Sequence, residues 1–79
     1  MVNIRKLKAR MVEKDMSVDQ LAEKIGVDRS TLYRRFADNG ETFTISEAMK
    51  IRFALDLNSD QAAGIFFANE MADMQQEVL

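Results

Sequence analysis

The sequence predicts a small all-α domain, compact and built from five helices. The chain has 79 residues, with no proline and only three glycines, so few residues would interrupt a helix. Residues that cap helix N-termini recur along the chain, each ahead of apolar residues at helical spacing. We assign residues 1–68 to one domain and residues 69–79 to an acidic C-terminal tail whose apolar residues are compatible with a further helix.

Each predicted helix follows a residue whose side chain can accept a hydrogen bond from the first turn. Two of these residues are followed three positions later by Gln or Glu, which is the capping-box pattern. The predicted caps are Asn3, Ser17, Asp28, Thr44 and Ser59. The corresponding helices are predicted at residues 4–15, 18–25, 29–37, 45–56 and 60–68.

Apolar residues at three- and four-residue spacing predict one buried face on each helix. Those expected in the core are Ile4, Leu7, Ala9, Met11, Leu21, Ala22, Ile25, Leu32, Phe36, Ile45, Ala48, either Ile51 or the stem of Arg52, and Leu55. The segment Asp38–Glu41 has the composition of a turn and contains an Asn-Gly pair. Its flanks do not alternate as strands do, so we interpret it as a loop between helices.

The net charge of −2 conceals an uneven distribution of charge. Residues 1–52 contain all eleven basic residues and eight acidic ones, a net charge of +3, whereas residues 53–79 contain five acidic residues and no basic one. A domain that binds nucleic acid needs a basic face and not a basic total. The basic part of the chain permits such a face, and the alternative is an ordinary solvated surface with uneven charge.

The absence of cysteine and histidine excludes several kinds of chemistry. There is no disulfide framework and no thiolate metal site, and the commonest metal ligand and general base are missing. We therefore expect no enzyme, no metal and no cofactor. No apolar run approaches the roughly 20 residues of a membrane helix, and the N-terminus does not resemble a secretion signal. We expect a cytoplasmic protein without a membrane or small-molecule partner.

The second and third helices together fit a helix-turn-helix, in which two helices meet at a tight turn. The small Ala22 suits a close crossing of the helices, and Gly26 suits a turn that needs positive φ. Val27 would fill the angle between the helices, and Leu32 would close the underside.

The exposed side of the third helix is rich in groups that can bind DNA. This helix contains three arginines and no acidic residue, and arginine forms paired hydrogen bonds with guanine in the major groove. The predicted base-contacting residues are Arg29, Ser30, Thr31, Tyr33 and Arg34. The predicted phosphate-contacting residues are Arg35, Ser17 and Lys50.

The segment from Met16 to Phe36 resembles the helix-turn-helix of the phage Cro and repressor family. Residues 43–48 and 65–68 are similar to the fourth and fifth helices of small phage and prophage regulators, so the resemblance covers residues 1–68. It implies a lambda-repressor-like fold that binds a double-stranded DNA operator, usually as a homodimer on a palindrome.

By position, the resemblance implies that Arg29, Ser30 and Arg34 contact bases, with Thr31 and Tyr33 as secondary contacts. Val18 and Asp19 depart from the family, which often has Gln or another phosphate donor at the start of this helix. Neither of these two side chains can donate a hydrogen bond to a phosphate.

We therefore predict a sequence-specific transcriptional regulator, a repressor of phage or prophage type. The alternative is a helix-turn-helix module for protein interaction, or an antitoxin, whose tail binds a partner protein. Phe67, Met71, Met74 and Val78 form an apolar stripe if the tail is helical. Such a stripe can pack on the domain's own core or mediate dimerisation, and the third alternative is a frayed C-terminus.

Overall fold

The computed structural model describes residues 2–67, and over this range the chain forms five helices joined by short loops. The helices are α1 (Ile4–Glu13), α2 (Val18–Ile25), α3 (Arg29–Ala37), α4 (Ile45–Ala54) and α5 (Ser59–Phe66). The predicted all-α fold is confirmed. The predicted domain end at residue 68 and the tail 69–79 lie outside the described residues.

Side-chain caps define where most of the helices begin. Asn3, Ser17 and Thr44 each accept a hydrogen bond from the backbone N–H three residues later, as predicted. The cap of α5 is Asn58 and not the predicted Ser59, so this helix begins one residue earlier than expected. Asn58 has the better partner three residues on, because Gln61 completes a capping box with it.

Three helices end two residues before their predicted limits, and one of them is α5, which ends at Phe66 and not at residue 68. α1 and α4 each stop two residues earlier than expected, at Glu13 and Ala54. In both cases the chain then enters the left-handed region, with φ of 53° at Asp15 and 54° at Asp56. Aspartate tolerates this conformation better than most residues, so both positions act as helix stops.

The core forms where α2 packs against α3 and α4, and where α1 packs against α5. The buried hydrophobic residues among those described are Leu7, Met11, Leu21, Ala22, Ile25, Leu32, Ile51, Leu55, Leu57, Ala62, Ile65 and Phe66. Ile4, Phe36 and Ala48 are partly buried against this cluster. Most of the predicted core is therefore confirmed.

Two predicted core residues lie on the surface. Ile45 is 78% exposed, and Ala9 is also exposed. α4 turns Ile51 and Leu55 towards the core, and at 3.6 residues per turn Ile45 then faces another side of the helix. The prediction for Ile45 was wrong because α4 has apolar residues on two sides, and spacing alone does not show which side is buried.

Three phenylalanines connect the end of α3 to α5. Phe36 and Phe43 lie edge to face with ring centroids 6.0 Å apart, and Phe43 and Phe66 do the same at 6.5 Å. Edge-to-face contacts of this kind stabilise a core beyond the area that they bury. They fix the orientation of α3 relative to the rest of the domain.

The segment between α3 and α4 is a loop, as predicted. Asn39 and Gly40 both have positive φ, and Gly40 is buried. A Cβ atom on Gly40 would lie 2.6 Å from the Cβ of Val2, so only glycine fits without a shift of the N-terminal segment. None of the helices described over residues 2–67 is long and apolar enough to cross a membrane.

Candidate nucleic-acid interface

α2 and α3 are in contact and are joined by only three residues, Gly26, Val27 and Asp28. Gly26 ends α2 in the left-handed conformation, with φ of 77°, as predicted. The N–H of Val27 donates to the carbonyl of Ala22 at 3.0 Å, which is the hydrogen bond that characterises a Schellman motif at the end of a helix. Ala22 is buried. The two helices thus have the arrangement of a helix-turn-helix.

The side of α3 away from the core presents polar side chains to solvent. Its exposed residues Arg29, Ser30, Tyr33 and Arg34 are here called the α3 face. Residues four apart are neighbours on a helix, so this face consists of two adjacent pairs. The predicted base-contacting residue Thr31 is only partly exposed, and Leu32 is buried on the opposite side.

The start of α3 differs from the predicted cap. Asp28 has the extended backbone of an N-cap, but its side chain makes no hydrogen bond to the first turn of the helix. Its carboxylate instead accepts a hydrogen bond from the hydroxyl of Ser30. The oxygen of Ser30 remains able to accept a further hydrogen bond, and the first N–H groups of α3 have no side-chain cap.

Asp19, in the first turn of α2, faces the α3 face. Its carboxylate lies 3.7 Å from the guanidinium of Arg29. It also raises the pKa of the Tyr33 phenol above its ordinary value, first by a hydrogen bond and second by charge repulsion of the phenolate. One acidic side chain on α2 is thus shared by two residues of α3.

Arg35 lies on a different side of α3 and is bound to α4. Its Nε and Nη2 atoms donate to the two carboxylate oxygens of Glu47 at 3.1 and 3.2 Å. Glu47 is also the third residue of the capping box of Thr44. Burial raises the pKa of Glu47, but the hydrogen bonds from Arg35 and Thr44 and the charge of Arg35 outweigh it, so this pKa is lowered.

A family model for the Cro/C1-type HTH DNA-binding domain matches residues 6–63. The match covers well over half of the 79 residues and includes all of α2, α3 and α4. The chain belongs to this family. The resemblance predicted from the sequence is therefore confirmed, and so is the general function of DNA binding. Neither the curated proteins nor the solved structures compared with the chain gave a match.

Two other predicted phosphate-contacting residues of this Cro/C1-type domain lie apart from each other. Ser17 is exposed at the start of α2, where its oxygen accepts the cap hydrogen bond from Gln20. The hydroxyl hydrogen of Ser17 is not used in that bond and can still be donated. Lys50 lies beside Lys24 and Phe53, around a shallow depression near the end of α2.

The sequence pattern did not indicate the two carboxylates that contact the arginines of α3. The capping box identified Glu47 as a residue of α4, but the box does not indicate a bond to α3. From the sequence, Asp19 is recognised only as a side chain that cannot donate a hydrogen bond to phosphate. Its negative charge is complementary to the arginine-rich α3, but this complementarity does not indicate which arginine Asp19 contacts.

Proposed function

We propose that this protein is a sequence-specific transcriptional regulator, a repressor of phage or prophage type. In this proposal α3 lies in the major groove of an operator, and the residues of the α3 face contact base edges. A protein bound at an operator excludes other proteins from it, which is the simplest way for a small DNA-binding domain to act on transcription.

The observation that supports this proposal most strongly is the composition of the α3 face. Arg29 and Arg34 supply forked donors suited to guanine, the oxygen of Ser30 can accept a hydrogen bond, and Tyr33 adds a phenol. All four side chains are exposed, whereas the opposite side of the helix is anchored by Leu32. A helix held in this way can enter the major groove without losing its packing.

We further propose that the regulator acts as a homodimer. Ile45, Met49 and Phe53 are spaced four apart on α4, and they are 78%, 44% and 72% exposed. We call these three residues the α4 stripe. Phe67 is half-exposed and lines the same groove as Ile45 and Met49. Exposed apolar patches of this kind commonly mark a protein interaction site.

A second copy of the chain is the partner that this stripe fits best. A two-fold interface uses the same patch on both subunits, so one apolar stripe supplies both halves of the contact. The stripe borders a groove between α4 and α5, with a volume of about 130 Å³, into which a partner side chain can insert. A two-fold dimer would also present two copies of α3 to a palindromic site.

The experiment that tests both proposals is a selection from random double-stranded DNA with the purified protein at a stated salt concentration. We expect one enriched motif with two inverted half-sites, their centres about one helical turn apart. Recovery of no motif contradicts the sequence-specific regulator. A single half-site without a symmetric partner contradicts the dimer but not DNA recognition.

The alternative function is a module for protein interaction, or an antitoxin, whose tail of residues 69–79 binds a partner protein. Loss of a captured partner protein on deletion of these residues would support it.

A further inference from the structure

Asp19 is the one acidic side chain of α2 that the structure pairs with an arginine, among the ion pairs described for residues 2–67. It lies in the first turn of α2, across from the start of α3. Its carboxylate lies 3.7 Å from the guanidinium of Arg29, and Tyr33 is one helical turn beyond Arg29, near enough for Asp19 to raise the pKa of its phenol.

The ion pair between Asp19 and Arg29 contributes little to folding. The two side chains are 52% and 73% exposed, and the closest nitrogen–oxygen distance is 3.7 Å. Solvent-exposed pairs with such geometry are worth little in stability because water screens them. The effect of this carboxylate therefore concerns where the Arg29 and Tyr33 side chains lie and what they can bind.

We propose that Asp19 is a positioning residue that determines DNA specificity, by holding Arg29 beside α2 and by opposing the contact of Arg29 and Tyr33 with phosphates. This inference depends on the proposed function, because it concerns how the α3 face distinguishes one DNA site from another.

Arg29 binds DNA differently when its guanidinium is free and when it is paired with Asp19. A free arginine binds any phosphate, and such contacts give affinity without sequence preference. An arginine already paired with a carboxylate gains less from a single phosphate, and the carboxylate repels that phosphate. Only a base that offers two aligned acceptors, as guanine does, compensates well for the lost pair. Asp19 thus lowers affinity for DNA in general more than it lowers affinity for the correct site.

The test compares Asp19→Asn with Glu23→Gln. Both variants remove one negative charge from the exposed side of α2, but Glu23 has no ion-pair partner among the described residues. Dissociation constants are measured for the selected site and for a scrambled duplex at the same salt concentration. We expect Asp19→Asn to bind the scrambled duplex about fivefold more tightly, the effect of one charge pair near 4 Å in water. The ratio of specific to non-specific affinity should fall by a similar factor, whereas Glu23→Gln should change it less than twofold.

A spectroscopic readout tests the contact without DNA. Tyr33 is the only tyrosine, and the chain has no tryptophan, so the near-ultraviolet absorbance change with pH reports this phenol alone. We expect Asp19→Asn to lower the pKa of Tyr33 towards its ordinary value, since the hydrogen bond and charge of Asp19 raise it. Glu23→Gln should leave this titration unchanged. Far-ultraviolet circular dichroism over the same pH range shows whether the helices persist.

Each outcome has one consequence. A Tyr33 titration that is the same in Asp19→Asn and in the parent overturns the proposal, because the carboxylate of Asp19 then does not lie close to the α3 face. A selective parent protein whose Asp19→Asn variant is equally selective overturns this inference alone. A parent protein that prefers no DNA site overturns the proposed function, and this inference with it.

Discussion

Arg35 of α3 and Glu47 of α4 are joined by two hydrogen bonds, of 3.1 and 3.2 Å. Their side chains are only 25% and 13% exposed, so this pair is better shielded from water than the Asp19–Arg29 pair. It connects the last turns of α3 to the first turn of α4 across the loop 38–44. Arg35 therefore has a structural role in joining α3 to α4, and the predicted contact with phosphate would compete with its bonds to Glu47.

Replacing Glu47 by Gln should destabilise the domain by about 1–3 kcal/mol at neutral pH, since a shielded charged hydrogen bond is lost. Glutamine keeps the capping box, so the change isolates the charge. The pKa of Glu47 is lowered in the folded state. Its contribution is therefore fully present above the ordinary pKa of glutamate, about 4.3, and is lost as pH falls through the lower folded pKa.

Urea unfolding at neutral pH and in acid checks this prediction. The stability difference between the parent and Glu47→Gln should shrink as the pH is lowered below the ordinary glutamate range. Glu41→Gln, at an exposed position in the loop, is the matched control and should have almost no effect. A difference that does not depend on pH would contradict the assignment to this ion pair.

Replacing Arg34 by Ala should weaken binding to the selected DNA site by about 1–3 kcal/mol if its guanidinium contacts a base. Binding to a scrambled duplex should change much less. Arg5→Ala is the control, because Arg5 is an exposed arginine on α1, outside the helix-turn-helix. Equal losses for the two variants on both duplexes would show that Arg34 contributes only general charge. Fluorescence anisotropy at fixed salt measures the affinities of the parent and both variants for the two duplexes.

Replacing Phe53 by Ser should shift the protein from dimer to monomer, because it removes the largest side chain of the α4 stripe. Phe53 is 72% exposed, so we expect little loss of folding stability. Val12→Ser is the matched control, since Val12 is 79% exposed on α1. Sedimentation velocity over a range of concentrations distinguishes the outcomes. A parent that is monomeric at every concentration, or a dimer unaffected by Phe53→Ser, contradicts the proposed interface.

Replacing Gly40 by Ala should destabilise the domain more than replacing Gly26 by Ala. Both residues have positive φ, which costs a residue with a Cβ about 1–2 kcal/mol. At Gly26 the added Cβ meets no atom within 4 Å, whereas at Gly40 it lies 2.6 Å from Val2. The clash should add roughly 1–3 kcal/mol. Thermal unfolding of the two variants compares them directly, and equal losses would contradict this account of the loop.

Local signals in the sequence were sufficient for most of the fold. Caps such as Ser17 and the stop at Gly26 act within one helical turn, so they can be recognised without knowing what packs against the helix. The exposed side of α3 followed from the buried position of Leu32. The failures have a different origin. The exposure of Ile45 depends on which side of α4 meets α2, and this is a property of the packed domain.

The candidate site was harder to predict than the fold because its electrostatics depend on contacts distant in sequence. Arg35 and Glu47 are 12 residues apart, and Asp19 is separated from Arg29 by the rest of α2 and the turn that follows it. Sequence alone treats each arginine of α3 as an equivalent cation. In the structure, Arg35 is paired with Glu47 of α4, and Arg29 is paired with Asp19 of α2. For Arg34 the described residues provide no carboxylate within ion-pair distance.

The hydrogen bond from the backbone N–H of Asn3 to the carbonyl of Ile65, at 2.6 Å, has a consequence for biosynthesis. A chain emerging from the ribosome can form α2 and α3 as soon as they are free, because their contacts are close in sequence. α1 must wait, since its packing partner α5 is among the last segments of the domain to be made. α1 precedes the other described helices in the chain but is among the last of them to dock, so a nascent chain arrested before Ile65 would keep α1 accessible to proteases.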